Sequence, residues 1–175
     1  MAKQKKVQVV EMTFDINASA EKVWQITGED YGNTYKSHPQ IINSHYINGS
    51  TEGCEGAERK CLFNEKGTKF LQEVQKNFDR ENKSFRNQLV HVGKFPMVPE
   101  YSYADYRVEP IDENKSKMHV RMQFRTKPAF LGALAKGQLA GLIKDYAISV
   151  NHFATTGEEV TAKNFKTIKK NYKAA

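Results

Sequence analysis

Arg59, Glu73 and His91 are the residues of this 175-residue chain whose types and positions offer chemistry. Each lies in a stretch that reads as a β-strand, and a strand turns every second side chain to the same face. Pairing Ala57 with Gln75 sets Arg59 opposite Glu73 and Cys61 opposite Leu71. Pairing Gln75 with Asn87 on the next strand sets Leu89 beside Glu73 and His91 beside Leu71. One face then carries Arg59, Glu73, Gln75, Asn87 and His91 among Cys61, Phe63, Leu71, Phe85 and Leu89. Such a patch would orient a ligand oxygen at the floor of an apolar pocket, because pockets are mostly apolar with a few convergent polar groups. A carboxylate beside a histidine would also serve as acid or base, so Glu73 and His91 are the catalytic candidates. The plain alternative is a cross-strand ion pair, worth under about 1 kcal/mol if exposed. A bulge at Gly67 would slip the register by one residue and carry the whole set to the other face.

Other reactive side chains lack partners at useful spacing. His38, His45, His119 and His152 are scattered and read as surface or packing histidines. Cys54 and Cys61 form a C-x6-C pair with no histidine pair nearby, which is not a zinc spacing. No glycine-rich phosphate loop and no nucleophile elbow occurs. The sequence therefore implies neither a metal nor a cofactor. Trp24, Tyr31, Tyr35, Tyr106, Phe124 and Tyr146 supply aromatic surface that would line a cavity or fill a core.

The chain is basic, with a net charge of +7. Its lysines concentrate at the two ends: Lys3, Lys5 and Lys6, then Lys163, Lys166, Lys169, Lys170 and Lys173. Terminal charge runs are usually solvated, so these are expected to point to water. Nothing resembles a module that reads base edges, which argues against sequence-specific nucleic-acid binding. With two cysteines, and no apolar run of signal-peptide length in Met1–Glu11, the expected setting is reduced and cytoplasmic. No segment reaches the roughly 20 apolar residues a membrane span needs.

The elements that must position these groups follow from two changes of period. Val7 to Ile16 alternates, with Val10, Met12, Phe14 and Ile16 on one side, and predicts a strand. Ser19 then caps a short helix over Val23, Trp24 and Ile26; Gly28 ends it, and a second short helix covers Asp30 to Ser37. Strands follow at Ile41–Asn48, Ala57–Asn64, Thr68–Asp79, Ser84–Val92, Tyr101–Pro110 and Lys117–Thr126. The last two pair as a hairpin in which Val108 faces Met118, Tyr106 faces Val120 and Ala104 faces Met122. His119, Arg121, Gln123 and Arg125 then point the other way, the pattern of a half-buried antiparallel sheet.

After Pro128 the period becomes helical. Leu139, Leu142, Ile143, Tyr146, Val150 and Phe153 form one apolar stripe, and Thr156-Gly157 ends it. Thr161 caps a further helix carrying Phe165, Ile168 and Tyr172. One domain over residues 1–175 is expected, with its core at about 7–156 and an additional helix at 157–175. An antiparallel meander with one apolar face needs a cover, and the long helix is the element large enough to supply it. Gly132, Gly137 and Gly141 interrupt that helix at a cost of about 0.5–1 kcal/mol each relative to alanine. Close packing on the sheet explains them, as does a first half that loosens to admit ligand. A third account is shallow insertion of Phe130, Leu131 and Leu134 into a membrane surface, a transient contact helped by flanking lysines.

This order resembles the helix-grip superfamily, which includes the START lipid-transfer domains, the major birch pollen allergen and the polyketide cyclase/dehydratase-like proteins. Gly53-Cys54-Glu55-Gly56-Ala57-Glu58-Arg59 is similar to the G-x-G-A-x-R segment of the bacterial cyclase/dehydratase-like branch. Glu73, Asp79, Phe95-Pro96 and Tyr101 fall where that branch has their counterparts. Ile16 to Trp24 resembles the superfamily's common start. The resemblance implies an α+β helix-grip fold: a curved antiparallel sheet of about seven strands around a long C-terminal helix, with two short helices after the first strand. It also implies a hydrophobic cavity between sheet and helix. Trp24, Tyr35, Arg59, Phe63, Glu73, Tyr106, Phe124, Leu139, Leu142 and Tyr146 are the expected ligand contacts. The leading functional reading is a binding or carrier protein for a hydrophobic, lipid- or polyketide-like small molecule. The alternatives are a cyclase/dehydratase-type enzyme using Glu73, His91 or a tyrosine, and an interaction module with a filled core acting through its basic C-terminal helix. No feature selects an oligomeric state.

Overall fold

The computed structural model describes residues 7–174. Seven strands form one curved antiparallel sheet in the order β1-β7-β6-β5-β4-β3-β2. β1 spans Gln8–Ile16, β2 Asn43–Ile47, β3 Glu58–Leu62, β4 Phe70–Asp79, β5 Ser84–Val92, β6 Tyr103–Asp112 and β7 Lys115–Phe124. β2 to β7 run as a meander, while β1 adds itself beside β7, so the first two strands occupy opposite edges.

The chain between those edges must cross the open side of the sheet. It crosses as α1 (Ala20–Trp24), a π-helical turn (Gln25–Glu29) and a 3₁₀ stretch (Tyr31–Lys36). Ser19 caps α1 by accepting the Lys22 N–H. Gly28 does not end the helix as expected; the chain runs on through the π turn. What the glycine provides is room, because a Cβ there would meet the Trp24 ring at 2.6 Å.

The hairpin of β6 and β7 has the expected register, with Val108 on Met118, Tyr106 on Val120 and Ala104 on Met122. β1 extends the same face by placing Val10, Met12 and Phe14 opposite Met122, Val120 and Met118. α2 (Leu131–Thr156) covers this apolar surface, and Gly157 closes the helix at φ 74° with its N–H bonded to the Phe153 carbonyl. Ile143, Tyr146, Ala147 and Val150 pack into the main core with Val10, Ile16, Val108, Met118, Val120 and Phe124. Burial of this kind contributes roughly 25 cal/mol per Å² of apolar surface.

The helical stripe is not a single face, however. Phe153 turns away from the sheet and packs with Ile148, Val160, Ile168 and Phe165, which seats α3 (Phe165–Ala174) against α2. Thr161 and Asn164 cap α3 reciprocally, Thr161 N–H to Asn164 Oδ1 at 2.8 Å and Asn164 N–H to Thr161 Oγ1 at 3.4 Å. Lys163, Lys166, Lys170 and Lys173 are exposed as expected. Lys169 is not: it bonds Asp145 on α2 at 2.6 Å. Lys3, Lys5 and Lys6 lie outside the described residues. Among the described residues no helix is long and apolar enough to cross a membrane.

Candidate functional site: a cavity under the first half of the long helix

α2 has two unlike halves. From Ile143 to Asn151 it presents large residues to the protein and is largely buried. From Gly132 to Gly141 it carries three glycines and three alanines, and among these only Gly132 is buried. A Cβ at Gly132 would touch Gln8 and Thr126, whereas Gly137 and Gly141 have nothing within 4 Å. Interiors are packed nearly as densely as organic crystals, so small residues on the covering helix leave space unless the facing strands fill it. Here they do not. Ala104, Asn87 and Cys61 face that half of the helix across a cavity of about 340 Å³.

Its wall is mostly apolar: Phe63, Leu71, Leu89, Met122 and Phe124 from the sheet, Phe95 and Met97 from the segment after β5, and Leu139, Leu142 and Ile143 from α2. The polar groups gather together. Arg59 on β3 stands opposite Glu73 on β4, and its Nε and Nη2 both donate to Glu73 Oε2, at 2.9 and 2.8 Å. Its Nη1 donates to the Tyr31 carbonyl at 2.9 Å, and the guanidinium lies 4.0 Å from the centre of the Tyr31 ring. Both charged side chains are largely buried, at 8% and 15% exposed. The 3₁₀ stretch thus pins the pair from above while the strands hold it from the sides.

His38 completes the polar group with Tyr106, Tyr146, Thr34 and Asn87. Its ring centroid is 5.2 Å from that of Tyr146, which meets Tyr106 edge-on at 6.3 Å. The Gln40 N–H donates to His38 Nδ1 at 3.2 Å, so the ring proton belongs on Nε2. Burial, helped by the Arg59 charge, lowers the His38 pKa to about 3. Burial raises the Cys61 thiol to about 12 and drives the Tyr106 and Tyr146 phenols upward as well. Each of these four groups is therefore uncharged at neutral pH. The Asn87 amide, 4% exposed, has an oxygen with no hydrogen-bond partner.

Eight of the ten expected ligand contacts line this cavity: Arg59, Phe63, Glu73, Tyr106, Phe124, Leu139, Leu142 and Tyr146. Trp24 is not among them; it is fully buried in a second core cluster with Tyr31, Ala57 and Phe85. Tyr35 also lies off the cavity wall, its backbone N–H held by Ser44 Oγ at 3.1 Å. His91 departs most from expectation. The irregularity falls between Gln72 and Glu73 rather than at Gly67, so Glu73 pairs with Leu89 while Gln72 pairs with His91. Glu73 therefore stays on the inner face, and His91 is exposed and stacked on Phe70, 5.7 Å between ring centroids. His38, expected as a surface or packing histidine, is among the cavity residues that the sequence does not single out. It sits in an irregular turn before Pro39, where no periodicity announces which way a side chain points.

The fold and the cavity between sheet and helix define a helix-grip protein, and the family follows. The chain belongs to the polyketide cyclase / dehydrase and lipid transport family, whose model matches residues 7–158. No protein of curated function matches it in sequence. Among solved structures it is similar to a solution structure from Thermobifida fusca, at 19% identity and a TM-score of 0.68 over 87% of this chain and 96% of that one. It is also similar to truncated norcoclaurine synthase from Thalictrum flavum, at 14% identity and a TM-score of 0.65 over 89% of this chain and 99% of that one. The XoxI protein of Bacillus cereus is a third, at 17% identity and a TM-score of 0.65 over 85% and 96%. At these identities the likeness is one of fold.

Proposed function

We propose that this protein binds and carries an apolar small molecule in the cavity between α2 and the sheet. The observation that carries the proposal is the cavity itself: about 340 Å³ of space under a glycine- and alanine-rich half-helix, walled mostly by apolar side chains with Arg59 and Glu73 as its charged pair. A filled core acting only through α3 would not leave such a space. Acid–base catalysis has less support. His91 is on the outer face, Glu73 is committed to Arg59, and His38, Cys61, Tyr106 and Tyr146 are held uncharged at neutral pH. A general acid or base works best with its pKa near the operating pH. Access runs past the open half of α2, where Phe130 and Leu134 are 69% and 72% exposed beside Lys127 and Lys136. That rim suits brief contact with a membrane surface during loading, and the two free cysteines suit a cytoplasmic setting.

Titration with the neutral dye Nile red tests the proposal. Saturable uptake by the wild-type protein is expected, and Leu142→Trp, which places an indole in the cavity, should reduce it about tenfold or more while the fold is retained by circular dichroism. Undiminished uptake in that variant would place the dye elsewhere and remove the support.

A further inference from the structure

Among the described residues Arg59 is the one lysine or arginine that lines the cavity, and Glu73 holds it. Arg59 already directs Nε and Nη2 to Glu73 and Nη1 to the Tyr31 carbonyl, so the guanidinium meets the cavity as half of an ion pair whose charges offset each other. A ligand carboxylate arriving there would find its natural partner taken and a second carboxylate beside it. Stripping water from an anion without a free counter-charge is costly, and like charges in contact add to that cost. The polar groups of the wall beside this pair carry no charge, among them the His38 imidazole, the Asn87 amide and the Tyr106 and Tyr146 phenols. Asn87 is the informative one, because a buried amide oxygen without a partner is uncommon and a bound molecule would complete it. All four give or take a hydrogen bond to an uncharged oxygen.

We infer that Glu73 is a specificity determinant: by holding Arg59, it excludes anionic ligands and restricts the cavity to apolar molecules bearing a neutral carbonyl or hydroxyl oxygen. This rests on the binding function proposed above. The same geometry gives the reverse when the acid is removed. Gln at position 73 still accepts from Arg59 but leaves the guanidinium charge uncompensated, and a ligand carboxylate would then supply the missing charge.

The test is displacement of Nile red at neutral pH by three ligands of one chain length: decanol, the corresponding methyl ketone and decanoate. For the wild type, the alcohol and the ketone should displace the dye at concentrations about tenfold or more below that needed for decanoate. In Glu73→Gln the gap should close, with decanoate gaining about tenfold relative to the alcohol and the ketone. Because Glu73→Gln also removes a charge from a buried pair, the double variant Arg59→Met/Glu73→Leu serves as a second check: with no cation to uncover, decanoate should gain nothing relative to the alcohol and the ketone, and a gain there would overturn the inference. Equal or better displacement by decanoate in the wild type would overturn the inference while leaving the binding function standing, as would an unchanged gap in a folded Glu73→Gln protein. Failure of the folded wild type to take up Nile red at all would instead remove the binding function, and this inference with it.

Discussion

Arg59–Glu73 and Arg86–Asp105 are the same kind of pair in two places. Both join neighbouring antiparallel strands, and both place two guanidinium nitrogens on one carboxylate. Taken as geometry, the outer pair is the better fork: Arg86 Nε and Nη2 reach separate oxygens of Asp105 at 2.6 and 3.0 Å, and Arg86 lies 3.7 Å over the Tyr103 ring. The inner pair brings both nitrogens to a single oxygen. What separates them is water. The outer side chains are 30% and 34% exposed, the inner ones 8% and 15%. A surface pair trades one set of solvated partners for another and contributes little. A buried pair has no such alternative, so each partner depends on the other.

The largest expected effect breaks that contrast at its buried side. Glu73→Leu strands the Arg59 charge and should cost about 3–5 kcal/mol in urea denaturation, whereas Arg59→Met/Glu73→Leu should recover most of the loss. A single variant as stable as the wild type would show that water reaches Arg59. His38 gives the next effect, through pH. Its folded pKa of about 3 lies below the unfolded value of 6.5, so the unfolded chain binds the extra proton between those limits. Its contribution is constant above pH 6.5 and falls as pH drops toward 3, by up to about 1.4 kcal/mol per pH unit. The stability difference between wild type and His38→Gln, followed by denaturation at stepped pH, should show that slope; a flat difference would place His38 in solvent. Asp105→Asn on the outer face should cost less than about 1 kcal/mol, and a loss approaching that of Glu73→Leu would erase the distinction between the two pairs. The smallest effect is a gain. Gly137→Ala and Gly141→Ala meet open space, so each should stabilise by about 0.5–1 kcal/mol in thermal melts, and slower Nile red release would tie the loose half of α2 to ligand exchange.

Most of this fold was legible in the chain because its strongest patterns are long. The alternation of β6 and β7 and the helical stripe of α2 left one sensible architecture, and the Arg59–Glu73 register followed from pairing two adjacent strands. Legibility failed where one residue of slippage or a short irregular turn decided the answer. A bulge at Gln72/Glu73 leaves no mark in composition, yet it sends His91 outward while Glu73 stays inside. Trp24 is ambiguous in the sequence because large aromatics fill cores and line pockets alike, and here it lies against Gly28 in a filled corner. His38 and Phe153 resist sequence reasoning for a related reason: the first sits outside any periodic element, and the second lies on a helix with two buried faces, one toward the sheet and one toward α3.

Native mass spectrometry of protein purified gently from its own host tests the proposed carrier role most directly. A discrete added mass, lost on extraction with organic solvent and absent from the Leu142→Trp variant, is the expected result. Wild-type protein that is folded, binds no Nile red and flies only at its bare chain mass would contradict it.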